Sequence, residues 1–350
     1  MKTEHLLIIR FSAIGDVAML VPVVASLAKQ YPQLRITVLS KPFARYFFEN
    51  LAPNVGFMAA DIHKEYKGIR GLNALYRRLL AKHFTAIADM HDVLRTKYLR
   101  LRFHIDRYKI SCINKHRKEK KHLVEKGYKN VGQLPSSFDN YTDVLERLGY
   151  HITLDFNSLF SPNSANLRLL SNVVGEKKSF QQWIGIAPFA AHSGKIYPVE
   201  KMEQVIIKIM NLHPSCRIFL FGGNGKEKKQ LDEWQQKYPK CMNASAQLSN
   251  LREEMMLMSQ LDLMISMDSA NMHLAAISGT KVLSIWGATH PYAGFLGWNQ
   301  SMDHVVQAEL SCRPCSIYGK KICHRGDFAC MNNITPDDII KKMENILNQY

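Results

Sequence analysis

No stretch of this 350-residue sequence reaches the roughly 18 consecutive apolar residues that a membrane-spanning helix requires. The apolar opening, Leu6 to Ile9, is too short for a signal-peptide core and runs straight into folded-looking sequence. The expectation is a protein made and kept in the cytoplasm. Low-complexity tracts and sequence repeats are also missing, which excludes a disordered chain or a solenoid. The dinucleotide fingerprint G-x-G-x-x-G is absent, and the Gly-rich run Gly222-Gly-Asn-Gly225-Lys-Glu227 lacks the Lys-Ser/Thr ending of a Walker loop. That weighs against a nucleotide-dependent oxidoreductase. Acidic residues are scarce: 30 Asp and Glu against 46 Lys and Arg, for a net charge of +16. Such an excess points to anionic partners: nucleic acid, lipid headgroups or phosphorylated substrates.

The basic residues are unevenly placed. Positions 95–129 hold thirteen Lys and Arg against Asp106, Glu119 and Glu125. The plainest reading is a solvated surface with a basic loop. The segment has no interleaved aromatics on a recognisable binding module, so no nucleic-acid partner is expected. The seven cysteines are an odd number without a secretion signal, which argues against a disulfide framework. Four of them cluster as Cys312, Cys315, Cys323 and Cys330; only the first pair has zinc-ligand spacing, so packed thiols are the expected state.

What is present is an alternation of short apolar runs and amphipathic helices. With 46% apolar residues and this length, two globular domains are expected. Strands are predicted at 5–11, 35–39, 55–60 and 84–90, with helices at 14–30, 44–51, 69–83 and 139–148. Residues 157–181 lack sustained periodicity, and a boundary between 165 and 166 is placed there. The rhythm restarts with strands at 183–187, 217–221, 261–266 and 281–286. The helices between them fall at 199–212, 225–237, 251–259 and 271–278. A last helix begins with Thr335 as cap and Pro336 at its first position. The βαβ order implies parallel sheets covered by helices, the doubly wound α/β class, with ligands at the carboxyl ends of the strands.

Four strand-to-helix turns could carry chemistry. Arg10-Phe-Ser12-Ala-Ile-Gly15-Asp16 offers a glycine for close approach and an acid at a helix start, although a cap by Ser12 or Asp16 is the simpler reading. Asp268-Ser269-Ala270-Asn-Met-His273 opens another helix whose first N–H groups could hold a phosphate. His192-Ser193-Gly-Lys195 brings a mobile cation suited to a diphosphate. The Gly223 to Glu227 turn is weaker evidence for a nucleotide.

Taken together, these segments resemble glycosyltransferase family 9, the heptosyltransferases of lipopolysaccharide core assembly. The Arg-Phe-Ser-Ala-Ile-Gly-Asp-Val opening is close to the family signature, as are Asp268-Ser-Ala-Asn-Met-His-Leu-Ala-Ala, Ser284-Ile-Trp-Gly-Ala-Thr-His-Pro and the Cys-x-x-Cys tail. Tyr197 stands where Trp is usual before Pro198. The resemblance implies a GT-B fold: two Rossmann-like domains facing a cleft, 1–165 for the acceptor and 166–334 for the nucleotide sugar, with 335–350 packing back on the first. It implies inverting, metal-independent transfer without a cofactor, typically from ADP-L-glycero-D-manno-heptose to a phosphorylated glycolipid. Asp16 would be the base. Lys195, Ser193, Gly223, Glu227, Asp268, Ser269, Ala270 and His273 would bind the donor, and Ser12, Gly15, Arg95 and Lys97 the acceptor. A glycolipid acceptor places the protein on the cytoplasmic, anionic face of the inner membrane, where each basic residue adds about 1 kcal/mol. A different nucleotide sugar serving another cell-surface glycan is the alternative.

Overall fold

The computed structural model describes residues 4–160 and 168–348. The 165/166 boundary therefore lies outside the described residues. The chain divides into two compact units, one of 1–115 with 135–157 and one of 116–134 with 158–350.

The first unit holds a five-stranded sheet: β1 (His5–Ile9), β2 (Arg35–Ser40), β3 (Val55–Ala59), β4 (Ala86–Asp89) and β5 (Lys109–Cys112). The order is β3-β2-β1-β4-β5, and every pairing is parallel. All five residues of β1 are buried, as expected for a central strand covered on both faces. The chain winds outward from β1 through β2 to β3, then returns to β4 on the other side of β1. The direction reverses between β1 and β4, and in doubly wound sheets ligands bind in the crevice at the carboxyl ends of such strands.

The second unit repeats the scheme with six strands: β6 (Trp183–Ala187), β7 (Arg217–Leu220), β8 (Cys241–Asn243), β9 (Leu263–Met267), β10 (Val282–Trp286) and β11 (Val305–Gln307). Their order, β11-β10-β9-β6-β7-β8, puts the reversal between β6 and β9.

Two predictions differ from the structure. The helix expected over 14–30 is two, Ile14–Ala18 and Leu20–Gln30, joined at Met19. Pro22 has no N–H to continue the first helix's bonding ladder. Residues 116–134, assigned from sequence to the first half, pack with the second unit. The helix Arg117–Lys126 buries Leu123 against Leu134 and Ala293, and Leu134 N–H donates to the Tyr292 carbonyl at 3.0 Å. The last helix is Pro336–Leu347. Its buried face of Ile339, Ile340, Met343 and Ile346 belongs to the second unit's core. Each such side chain contributes about 1.5–3 kcal/mol on burial.

Candidate active site

In the first unit, β1 runs into Arg10, whose side chain is buried, and then into the turn that starts the helix Ile14–Ala18. Asp16 is the third residue of that helix, and its Oδ2 accepts the Ala13 N–H at 3.0 Å. The capping role is therefore real. The same oxygen lies 2.9 Å from Arg10 Nη2, and the Asp16 side chain is 30% exposed, so solvent or a ligand can reach it. Burial opposes the charge on Arg10, but attraction from Asp16, Tyr141 and Asp89 outweighs it and raises its pKa. The guanidinium lies 5.5 Å from the Tyr141 ring centre and also donates to the Met90 carbonyl. Tyr141 O–H donates to the Asp16 carbonyl at 3.0 Å. One helix turn is thus held by three side-chain links.

His91 follows β4 across the crevice. It accepts the Phe11 N–H at Nδ1, 3.4 Å, which leaves Nε2 protonated and facing Ser12 Oγ at 3.3 Å. Burial, with Arg10 and Lys115 nearby, pushes its pKa down to about 3, so the ring is neutral. Gly15 is buried in the same helix turn. Arg95 and Lys97 lie apart from this cluster, exposed on the helix Leu94–Ile105, with Lys97 Nζ 3.8 Å from Asp92.

In the second unit, Lys195 closes a short turn after β6, and Asp268 follows β9. The topology predicts that these two positions meet, and they do. Lys195 Nζ lies 2.9 Å from Asp268 Oδ2. Thr289 Oγ1 donates to that same oxygen at 2.7 Å. Asp268 is buried and Lys195 largely so. Ser269 sits at the N-cap of the helix Ala270–Ile277 in extended conformation, and its side chain makes no capping bond. His273 is buried one turn in. Ser193 opens the Lys195 turn. The Gly223 N–H donates to Glu227 Oε2 at 2.6 Å, closing the turn that opens the helix Lys226–Lys237.

Residues missed from sequence complete the picture. Arg10 and Thr289 stood inside quoted motifs but carried no assigned role. Tyr141 fell within the helix predicted at 139–148 and carried no assigned role. Arg313 had no signal at all. It is buried and donates to the carbonyls of Trp286, Gly287, Thr289 and Ala308, fixing the turn that presents Thr289. Ala288 N–H donates to the Gly194 carbonyl at 2.8 Å, which ties that turn to the one bearing Lys195.

Among the described residues, Asp89, Asp92 and Cys112 are the metal-ligating groups that converge, within 4.8 Å of one another. Arg100 already lies 3.1 Å from Asp89 and 3.3 Å from Asp92. The tail cysteines are free thiols and do not converge in this way. No described helix is long and apolar enough to cross a membrane.

The chain is similar in sequence and fold to known glycosyltransferases. The chain is 23% identical over 298 residues to the lipopolysaccharide core heptosyltransferase OpsX of Haemophilus influenzae, covering 82% of this chain and 80% of that one. It is 31% identical over 86 residues to the lipooligosaccharide heptosyltransferase 2 of Campylobacter jejuni, where the match spans only 26% of that protein and 25% of this one. A glycosyl transferase family 9 structure from Veillonella parvula superposes with a TM-score of 0.73 at 17% identity, covering 100% and 99% of the two chains. Escherichia coli heptosyltransferase WaaC with ADP gives 0.67 at 14%, covering 98% and 99%. At such identities the structural likenesses speak for the fold, which is GT-B. The profile of glycosyltransferase family 9 (heptosyltransferase) matches residues 72–324, well over half of the sequence, and the chain belongs to that family.

Proposed function

We propose that this protein is an inverting glycosyltransferase that moves heptose from ADP-L-glycero-D-manno-heptose to a glycolipid acceptor of the lipopolysaccharide-core type. The observation that carries the reading is the pairing at the two switch points: an acid held by a cation after β1, and a lysine held by an acid after β6 and β9. The nucleotide is suggested by the ADP of the E. coli relative and the acceptor class by the name of the H. influenzae relative.

In this reading Asp16 takes the proton of an acceptor hydroxyl as that oxygen attacks the anomeric carbon. The bond to the diphosphate breaks on the opposite face, and ADP leaves with the electron pair. Such base catalysis is worth roughly 10²–10⁴-fold. Lys195 and the N–H groups at Ser269 and Ala270 meet the charge that develops on the diphosphate. Asp268 holds sugar hydroxyls, His273 supports the turn, and Gly223 with Glu227 contacts the nucleoside. Ser12, Gly15, Arg95 and Lys97 take the acceptor, and the basic surface favours the anionic inner leaflet.

The test is Asp16→Asn. It should fold, keep ADP affinity and lose at least a hundredfold in turnover; near-wild-type turnover removes Asp16 as the base. Thermal-shift comparison of ADP-, UDP- and GDP-sugars tests the donor, since a ligand at 100 times its Kd adds about 2.7 kcal/mol. Stabilisation by a UDP- or GDP-sugar alone would overturn the ADP assignment.

A further inference from the structure

The helix Leu94–Ile105 is apolar on two sides. Leu99 and Phe103 turn inward and are buried. Leu94, Leu101 and Ile105 are 85%, 57% and 64% exposed. Steps of seven and four residues align these three on one outward stripe. Large apolar side chains aligned in this way, rather than scattered singly, mark an interaction surface.

The charges beside the stripe select the partner. The 12 residues of this helix include no Asp or Glu. Arg95 and Arg102 each follow a stripe leucine and lie seven positions apart, so they run along one flank. On the neighbouring helix Gly68–Leu80, Arg70 and Arg77 repeat that spacing. Asn73 ties the two helices, its Oδ1 accepting from Tyr98 at 2.7 Å and from Arg102 at 2.6 Å. Arg70, Asn73, Arg77 and Arg102 line a cavity of about 430 Å³ with no carboxylate in its wall. Lys97 and Arg100 do not count toward this charge, because Asp92 and Asp89 answer them. Arg70, Arg77 and Arg95 are exposed and form no ion pair among the described residues. A second copy of this chain fits the surface badly: a twofold axis through it would set the same arginines against each other. An anionic phospholipid surface fits both parts. Its acyl region takes the stripe, and its headgroup phosphates meet the arginines, whose long stems let the charge reach outward.

We propose that the outward stripe of the helix Leu94–Ile105 inserts into the surface of an anionic phospholipid membrane, with Arg70, Arg77, Arg95 and Arg102 on the headgroup phosphates. The inference rests on the reading that puts the protein at the inner leaflet and goes beyond it. Basic charge spread over 95–129 gives attraction without a place. Here the contact is one face of the first unit, and apolar insertion holds it.

The experiment is co-sedimentation of the full chain with vesicles of phosphatidylethanolamine and phosphatidylglycerol, at low and at high salt. Wild type should bind in both, less strongly at high salt. The double variant Leu101→Gln, Ile105→Gln changes two exposed positions and keeps good helix formers. It should bind at least tenfold more weakly at either salt, with ADP affinity unchanged within twofold. Arg70→Gln with Arg77→Gln should lose the preference for phosphatidylglycerol over phosphatidylcholine vesicles and keep the salt-resistant part. Equal binding by wild type and the Leu101, Ile105 variant overturns the proposal. So does wild-type binding that high salt abolishes, because charge alone would then hold the protein. A wild-type dimer in sedimentation velocity that the same variant cannot form overturns it too, by making the stripe a contact between copies. If wild type binds no vesicle at all, the inner-leaflet reading falls and this one with it; if wild type binds and the variant binds equally, only the helix assignment falls.

Discussion

Lys195 and Asp268 lie 73 positions apart in sequence and 2.9 Å apart in space, because β6 and β9 are neighbours at the point where the second sheet reverses direction. Without a ligand, each charge answers the other. A diphosphate entering the proposed donor site must therefore compete with Asp268 for Lys195. Asp268→Asn should release the lysine, so ADP affinity is expected to hold or rise while sugar transfer collapses. Lys195→Met should do the opposite to ADP: loss of one charge-assisted bond, about 1.5–3 kcal/mol, raises its Kd at least tenfold. Calorimetric titration of both variants checks this. Parallel losses of ADP affinity would refute the competition.

Arg10 is the counterpart in the first unit. Arg10→Met keeps much of the stem and removes the cation beside Asp16. A carboxylate that loses its cation is protonated more readily. The acid limb of the pH–rate profile should then move to higher pH, and turnover at neutral pH should fall while ADP affinity stays. An unmoved limb would mean that Arg10 only supports the helix turn.

His91 links this region to pH through its depressed pKa of about 3. Above about pH 6.5 the ring is neutral in both folded and unfolded chains and contributes no pH dependence. Between pH 6.5 and 3 the unfolded chain takes up a proton that the folded chain refuses, so stability falls as the pH falls, by about 1.4 kcal/mol per pH unit for one proton. His290, pushed down to about 4 by burial and by Arg313, acts in the same direction. His91→Gln should flatten the decline of Tm across pH 6 to 4 relative to wild type, as scanning calorimetry can record. An identical slope would show that another group carries the linkage.

The sheet was legible because strands buried on both faces read as uninterrupted apolar runs, as β1, β6, β9 and β10 do. Of the edge strands, β3 was legible but the other three were not. β5 has one buried residue of four, and β8 and β11 are three residues each, too short for any period to register. The helix Leu94–Ile105 was hidden because Leu94, Leu101 and Ile105 are exposed and blur its apolar face. Candidate site residues at strand ends, such as Asp16 and Asp268, could be singled out because the turn itself marks them. Their partners could not. Tyr141 reaches Asp16 across 125 positions and Arg313 reaches Trp286 across 27, and neither separation leaves a local pattern.

Thr289 offers a smaller test of the Asp268 environment. Thr289→Val preserves shape and removes the 2.7 Å bond to Asp268 Oδ2. A hydrogen bond to a charged acceptor is worth about 1.5–3 kcal/mol, so transfer should slow by roughly tenfold or more as Asp268 loses its orientation. ADP binding should change less than the rate of sugar transfer. Equal losses in both would place Thr289 in the general support of the turn rather than in the alignment of Asp268.

Gly319 is the residue on which the Lys195 side chain rests. Its φ of +78° suits glycine, and a Cβ would collide with Lys195 Cγ and Cδ at 2.5 Å. The colliding atoms belong to a flexible stem, so Gly319→Ala should fold with a modest loss of about 1 kcal/mol from the left-handed backbone. The lysine would have to swing away from Asp268, and its ammonium would no longer meet the diphosphate where the leaving charge develops. The expected result is a weakened ADP complex and slowed transfer at nearly normal Tm. Gly319→Ala combined with Lys195→Met should then be no worse than Lys195→Met alone, because both changes act through one side chain. Additive losses in that double-mutant cycle would mean that Gly319 matters for the turn and not for the lysine.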